Sequence, residues 1–475
     1  MIKSNNTNLL VVMPDQMRAQ TLEFLGQEPT ITPHMNKFSK ESLVFTEAIA
    51  NAPLCSPSRA MFLTGMYPIS TGVVTNCNSE FAEFNNELNS EVICWSDILK
   101  GKGYSTGYIG KWHLDAPIEP YIPCKNNNQP VKWNEWCTPE RRHGFDFWHA
   151  YGTYNDHLRP MYWTNNAGRN DYQYVEKWGP EHESDLAIEY ILNETGEMRD
   201  PEKPFALVVS MNPPHPPYHL VPEKYKELYS KKETEIEKFS KIATLNDHDP
   251  QWQDYFRENI RNQYAMITGV DENFGRILEA LKLKRIEDST LVIFLSDHGD
   301  CLGIHGKRAK DNPFEESLRI PLMVRLPGII PPRHEDFLIS IPDLCPTLLS
   351  LLGFKSVIPK SVEGIDFSEF CRTGIGERPS SQYYFSLGFF AQKKENPIAG
   401  KIDSGERGIR NERYTLVCDK EPNGNIEWYL WDRKMDPHQV KNIAKEESEC
   451  KNNLYSNYLL PLLKLLKDPW LPDNN

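Results

Sequence analysis

Five short apolar runs constrain this chain most: residues 9–13, 104–109, 205–211, 290–295 and 321–325. Each is too short for an ordinary helix and apolar at successive positions. That pattern belongs to strands buried on both faces of a sheet. Enough residues separate each run from the next for a helical crossover. One helix is plain over 259–283, where Met266, Ile267, Val270, Phe274, Ile277, Leu278 and Leu281 follow i, i+3, i+4 spacing. Another follows Pro342, with Leu344, Leu348, Leu349 and Leu352 before a stop at Gly353. Strands alternating with helices predict an α/β fold: a large mixed, mostly parallel sheet sandwiched by helices. Ligands of such folds sit beyond the carboxyl ends of the strands, so the polar residues there carry the functional reading.

The chain has 475 residues, too many for one typical domain. Its texture changes near residue 375. Short strand-like runs follow at 383–387, 407–410, 414–418 and 427–431, and Asn423-Gly424 is a hairpin signal. The tail 454–466 is amphipathic and predicts a helix. The expected division is a domain over 1–375 and a small C-terminal α+β subdomain over 376–475, an antiparallel sheet plus a helix. Residues 120–170, rich in Trp, Asn and Pro without periodicity, read as a long surface insertion. A hydrophobic fraction of 39% supplies a sizeable core, while a net charge of −13 argues against nucleic-acid binding by field alone. Ten cysteines without a CxxC pair exclude a disulfide scaffold and a structural zinc site. No apolar run reaches the ~18 residues of a membrane span. The first fifteen residues lack the apolar length of a signal peptide. As written the chain reads as cytoplasmic, or as periplasmic or secreted if a signal peptide has been removed.

The strongest local signal is Cys55-Ser-Pro-Ser-Arg59, continued by Ala60-Met-Phe-Leu-Thr-Gly65. Pro57 suits the first turn of a helix, and Arg59 lies about one turn beyond Cys55. A sulfur at a helix N-terminus beside a guanidinium is an environment for an anion or a polarised nucleophile.

This segment resembles the signature of the formylglycine-dependent sulfatases of the alkaline phosphatase superfamily. Other segments resemble that family in order along nearly the whole chain. Asn8-Leu-Leu-Val-Val-Met-Pro-Asp15-Gln16 looks like its first metal-binding strand, and Gly107-Tyr-Ile-Gly-Lys111-Trp-His113 like its second signature. Asn212-Pro-Pro-His215-Pro-Pro-Tyr218 is similar to its histidine loop, and Ser296-Asp297-His298-Gly299-Asp300 to its second metal pair. His305-Gly306, Lys310 and Glu315-Glu-Ser-Leu-Arg-Ile-Pro321 resemble its lysine loop. Gly408-Ile-Arg-Asn-Glu-Arg-Tyr414 and Leu430-Trp-Asp-Arg-Lys-Met-Asp-Pro437 resemble its small C-terminal domain.

The resemblance implies an alkaline-phosphatase-like fold and a sulfuric ester hydrolase acting on a sulfated carbohydrate, similar to bacterial glycan sulfatases. It implies a partner too, the maturation enzyme that oxidises Cys55 to formylglycine. Hydrated formylglycine is a geminal diol, of which one hydroxyl can attack sulfur while the other later expels sulfate. By the same resemblance Lys111 and Lys310 contact sulfate, and Lys310 shares the acid role. His113 is the base for sulfate release, His215 protonates the leaving oxygen, and Arg59 holds the formylglycine. Lys111 and His113, two apart in an extended segment, are expected to point the same way. Asp15, Gln16, Asp297 and His298 are the metal candidates, with the modified Cys55 as a further ligand. Oxygen-rich ligands favour calcium or magnesium, while the neutral amide and the imidazole raise the case for manganese. His219, His157, Arg159 and Asp156 are candidates for a glycan subsite, and His305 for the pocket lining. Trp133, Trp136, Trp148 and Trp163 could stack on a sugar. Asp271-Glu-Asn-Phe-Gly275 reads as structural. Two other readings stand beside this one. A phosphonate monoester or phosphodiester hydrolase would share the formylglycine and a similar metal set. A non-catalytic glycan-binding pseudosulfatase would leave Cys55 unmodified.

Overall fold

The computed structural model describes residues 7–243, 250–388 and 402–471. Residues 1–6, where the leader reading begins, lie outside the described residues. Ten strands build the main sheet. They are β1 (Asn8–Val12), β2 (Leu43–Phe45), β3 (Ser105–Lys111), β4 (Phe147–Tyr151), β5 (Met161–Thr164), β6 (Gln173–Tyr174), β7 (Phe205–Ser210), β8 (Thr290–Leu295), β9 (Leu322–Arg325) and β10 (Arg333–Glu335). Their order across the sheet is β10-β2-β9-β8-β1-β7-β3-β4-β5-β6. The five central strands β8, β1, β7, β3 and β4 run parallel; β9 is antiparallel to β8 and β5 to β4. The sheet is thus mixed and mostly parallel.

Of the five central strands, β1, β3, β7 and β8 are buried on both faces, as their apolar runs require. Along β1, Leu9 and Val11 enter one core while Leu10 and Val12 enter the other. Burying one such side chain contributes about 1.5–3 kcal/mol. One face is covered by α1 (Cys55–Thr64) packed on α4 (Ile341–Leu351). The other is covered by α2 (Gly179–Leu192) packed on α3 (Pro250–Leu283). Helix α3 begins nine residues before the periodic stretch read from the sequence. Its Asp271 carboxylate accepts the His34 and Met35 amides, a structural role. No helix among the described residues is long and apolar enough to cross a membrane.

A second, antiparallel sheet follows: β11 (Gln382–Ser386), β12 (Gly405–Arg410), β13 (Tyr414–Lys420) and β14 (Ile426–Asp432), in sequence order. Asn423-Gly424 turns β13 into β14, with Gly424 at φ 89°. The C-terminal helical run packs Leu454, Leu459 and Leu463 into the core. Residues 120–170 correct the expectation of a surface insertion. They contribute β4 and β5 to the main sheet, and Trp148 and Trp163 are buried. Trp148 and Trp163 are packing residues, and no simple period marks the stretch.

Behind the strand ends, Glu183 of α2 is buried. Its Oε1 accepts from the Tyr162 and Tyr151 hydroxyls at 3.0 and 3.4 Å, and its Oε2 has no partner. Burial pushes this carboxyl up to about 8, against the opposing hydrogen bonds from the two tyrosines. The folded state therefore holds a proton that the unfolded chain releases near the ordinary carboxylate value. The corresponding stability is full below that value and is lost as pH rises through about 8. Replacing Glu183→Gln should remove that slope. Melting curves from pH 5 to pH 8 should show the variant gaining on the wild type by on the order of 3 kcal/mol. Parallel pH dependences would contradict a buried neutral carboxyl.

Candidate active site

Four neighbouring strands deliver the site at their carboxyl ends. Past β1, the Asp15 amide continues the ladder by bonding the Met211 carbonyl at 2.9 Å. Gln16 then takes a left-handed φ of 68°, and its amide donates to Asp297 Oδ1 at 3.0 Å. Past β8 come Asp297 and His298, and past β7 come Asn212 and His215. Lys111 ends β3, behind a Gly110 at φ 98° whose hypothetical Cβ would lie 2.1 Å from the Ser210 carbonyl oxygen. A side chain there would push apart the two strands that carry the site.

Helix α1 opens on Cys55 and is buried along its whole length. Ser56 ties its first turn down, with Oγ donating to the His113 carbonyl at 2.7 Å and accepting the Cys77 amide at 3.0 Å. The Cys55 sulfur lies 3.0 Å from Lys310 Nζ, 3.6 Å from Lys111 Nζ and 3.3 Å from His298 Nε2. Arg59, one turn on, spends its guanidinium on oxygen. It pairs with Asp15 at 3.0 Å and Asp297 at 2.9 Å, and donates to the Lys111 carbonyl and Ser210 Oγ, both at 2.7 Å. Lys111 Nζ pairs with Asp15 at 2.7 Å and donates to Asn212 Oδ1 at 3.3 Å. Lys310 Nζ also reaches Gln16 Oε1 at 2.9 Å.

The electrostatics single out one thiol. All ten cysteines are free. Burial drives Cys77, Cys94, Cys124, Cys137, Cys301, Cys345, Cys371 and Cys418 up. At Cys55 burial and Asp15 also push upward, yet Lys111, Lys310 and His298 overcome both and hold the thiol well below its usual value. Burial likewise opposes ionisation of Asp15, but Lys111, Lys310, His215 and Arg59 keep it well below the usual carboxylate range. Burial, then Lys111 and Lys310, hold His215 low, and burial does the same for His113. Lys310 is raised against its own burial by Cys55, Asp15 and Asp297.

Residues 7–354 match the family model described as Sulfatase, and residues 303–459 match the one described as N-sulphoglucosamine sulphohydrolase, C-terminal. The chain belongs to the sulfatase family. It is 36% identical to an endo-4-O-sulfatase of Bacteroides thetaiotaomicron, over 98% of this chain and 94% of that one. It is 30% identical to an ulvan-active sulfatase of Formosa agariphila, over 94% of this chain and 79% of that one. A crystal structure from Bacteroides fragilis superposes with a TM-score of 0.91 at 45% identity, covering 99% of this chain and 98% of that one. Sulfate ester hydrolysis is therefore the chemistry of this sulfatase.

The family implies a divalent metal and a formylglycine made from Cys55. The donor set fits a metal. One donor atom each from Asp15, Cys55, Asp297 and His298 lies within 4.8 Å of the others, and all four residues are buried. Burial and the nearby Asp15 push Asp297 up to about 6, against His298 and Arg59. Two converging carboxylates of this kind are what a cation would relieve. Gln16 lies at the cluster's edge, its side-chain oxygen accepting from Lys310 and its Nε2 donating to the Tyr218 hydroxyl at 3.5 Å.

A cavity of about 580 Å3 opens over Cys55, Lys111, His113, His215 and Lys310. His113 reaches it by a route other than strand alternation. The strand ends at Lys111, and His113 turns back through a left-handed φ of 55° with Nε2 bonded to the Cys77 carbonyl at 3.1 Å. His219, Asp156 and Trp133 line the cavity. Three other candidates do not. His157 is buried behind the wall, where its Nε2 donates to the His215 carbonyl at 2.7 Å. Arg159 pairs with Glu176 on the surface and stacks on Tyr174. His305 stacks on Phe314 at 3.9 Å and pairs with Glu316. Sequence reasoning missed Asn76, Lys125, Asn126, Gln129, Thr153 and Asn155, which also line the cavity. Five of these six are neutral polar residues with no signature spacing.

Proposed function

We propose that this sulfatase removes an O-sulfate group from a sulfated polysaccharide, with a 4-O-sulfate on an internal sugar as the preferred target. The observation that carries this is the cavity. It joins a cationic floor at Cys55, Lys111 and Lys310 to amide-rich walls and a Trp133 face. Its volume of about 580 Å3 far exceeds what a sulfate group fills and suits a sugar ring with part of its neighbour. The names of the endo-4-O-sulfatase and ulvan-active relatives support the polymer and the position.

When present, the oxidised Cys55 would supply the nucleophile, and a cation held by Asp15, Gln16, Asp297 and His298 would polarise sulfate oxygens. Calcium is the cation favoured by this oxygen-rich set. A formylglycine-generating enzyme of the host would perform the modification. The remaining steps belong to this chain's own side chains. Lys111 and Lys310 hold the anionic sulfate and stabilise charge as it develops on its oxygens. Lys310, kept charged, can pass a proton from Nζ to the departing sugar oxygen. His215 donates Nδ1–H to the Pro216 carbonyl at 2.7 Å, which leaves Nε2 as its free ring nitrogen. That nitrogen gains a proton once a bound sulfate offsets Lys111 and Lys310. His113, neutral at rest, can accept a proton beside Cys55.

A panel of mono-, di- and oligosaccharides sulfated at defined positions tests the proposal, with a phosphodiester included. The expected result is preferential release from an internal 4-O-sulfated unit. Preference for another position or for chain ends would refute the assigned target. A phosphodiester favoured by orders of magnitude would refute the sulfatase assignment for this cavity.

A further inference from the structure

Lys310 stands on a connection between β8 and β9 that offers it no strand or helix of its own. Its reach to Cys55 and Gln16 depends on how the neighbouring backbone is fixed. Support on either side of it is local: the Ala309 carbonyl accepts the Cys301 amide at 2.6 Å, and the Asp311 amide donates to the Pro53 carbonyl at 3.0 Å, two residues before Cys55. Further downstream, support comes from the second sheet, more than a hundred residues away. The side-chain amide of Gln439 bridges Phe314, accepting the Glu315 N–H at Oε1 (2.8 Å) and donating from Nε2 to the Pro313 carbonyl (3.3 Å). Gln439 is 2% exposed, follows β14, and takes a left-handed φ of 46°.

Other groups of the same sheet hold the helical turn Glu315–Leu318. Arg410 grips the Glu315 carboxylate through Nε at 2.7 Å and Nη2 at 2.8 Å. Phe314 lies between His305 and Trp431, and Leu318 packs with Tyr384 and Val417. That turn also backs the metal arm. The Gly299 and Asp300 amides donate to the Ser317 and Glu316 carbonyls at 2.8 and 2.6 Å. A Cβ on Gly299 would lie 2.0 Å from the Glu316 carbonyl oxygen, so the two backbones cannot be any closer. Of the C-terminal contacts named, Gln439 alone bonds backbone, at Pro313 and Glu315, three and five residues past Lys310.

We propose that Gln439 is a positioning residue that sets the reach of Lys310 into the sulfate pocket, so that the C-terminal sheet completes a cavity it does not itself line. This rests on the role assigned to Lys310 above. The test is a double-mutant cycle on the matured enzyme. Gln439→Leu, close in shape but without hydrogen bonds, should lower kcat about 10-fold or more, with a modest fall in melting temperature from the two backbone groups left unpaired. In a Lys310→Ala background the same change should cost roughly twofold or less, because the group it positions is gone. Asn442→Ala, which cuts two hydrogen bonds to β14 away from the loop, should leave kcat at the wild-type value. Equal losses from Gln439→Leu in both backgrounds, or none in either, would overturn the proposal. Wild-type turnover by Lys310→Ala alone would instead overturn the assignment of Lys310. If the Leu variant does not fold, Gln439→Glu enters the same cycle, keeping the acceptor for Glu315 and losing the donor to Pro313.

Discussion

Replacing Cys55→Ala should abolish turnover of a sulfated substrate, a loss of about 10^4-fold or more, while the protein stays folded and still binds its ligand. The fold should tolerate the change. Alanine keeps the Cβ, is a good first-turn residue, and removes no hydrogen bond on which α1 depends. The first turn is held by Ser56, through His113 and Cys77, and not by the sulfur. Lys111 retains Asp15 and Asn212, and Lys310 retains Gln16. The cationic floor therefore survives, and calorimetric titration with inorganic sulfate should still give a measurable Kd. What is lost is the one cysteine whose thiol is held low by its neighbours, in a chain where burial pushes eight other thiols up. Activity near the wild-type value would refute the assigned nucleophile. Intact-mass spectrometry of the native-host protein adds an independent reading, since conversion to the aldehyde exchanges sulfur for the lighter oxygen and removes two hydrogens at this position alone. An unmodified thiol there would favour the glycan-binding reading.

The sheet was legible because most of its central strands are buried on both faces and leave apolar runs, and its mostly parallel order was legible with it. The antiparallel exceptions were not. The run at 321–325 reads like its neighbours, yet β9 lies antiparallel to β8, which no side-chain pattern encodes. Ends were blurred where a strand carries function. The apolar run before Lys111 stops at Ile109, while β3 continues through Gly110 and Lys111 because the lysine is buried against Asp15. The stretch 120–170 misled for the opposite reason. Its Trp148 and Trp163 are core residues of strands joined to the main sheet, but aromatic and amide residues without a period look like loop.

The centre of the site was legible where charged or nucleophilic residues stand at strand ends and helix starts. Cys55, Asp15, Lys111, Asp297, His298 and Lys310 meet within a few ångströms. Lys307, three residues before Lys310 on the same connection, is exposed instead. His157 and His305 show what a histidine in a loop usually does. One supports a carbonyl behind the cavity wall, and the other is sandwiched between a ring and a carboxylate. Neutral amides such as Asn155 and Gln439 carried no signal, because their function depends on contacts between distant segments.

The second large effect concerns stability as much as rate. Arg59→Leu should destabilise the protein by about 3–5 kcal/mol, because it strands buried charge. The guanidinium is 1% exposed and bonds Asp15 and Asp297, neither of which water reaches. Lys111 still pairs with Asp15, but Asp297 keeps only two backbone amides, of Gln16 and His298, and the more distant His298 ring at 3.6 Å in place of a cation. With the cation gone, Asp297, already up near 6, must rise further. A carboxyl raised in the folded state contributes stability that is full at acid pH and lost as pH climbs through its folded value. The gap between wild type and variant should thus be small near pH 5 and widen toward pH 8. Melting temperatures read this directly, with an expected fall of roughly 3–5 °C at the upper end. Turnover should fall by at least about 100-fold, since Arg59 also fixes the Lys111 carbonyl, and a small misplacement of the clamp costs that much. A stability loss independent of pH would mean that lost packing, not uncompensated charge, is what Arg59 prevents. Added calcium should raise the melting temperature of both proteins, because a cation at Asp15 and Asp297 offsets the same repulsion that Arg59 holds in check.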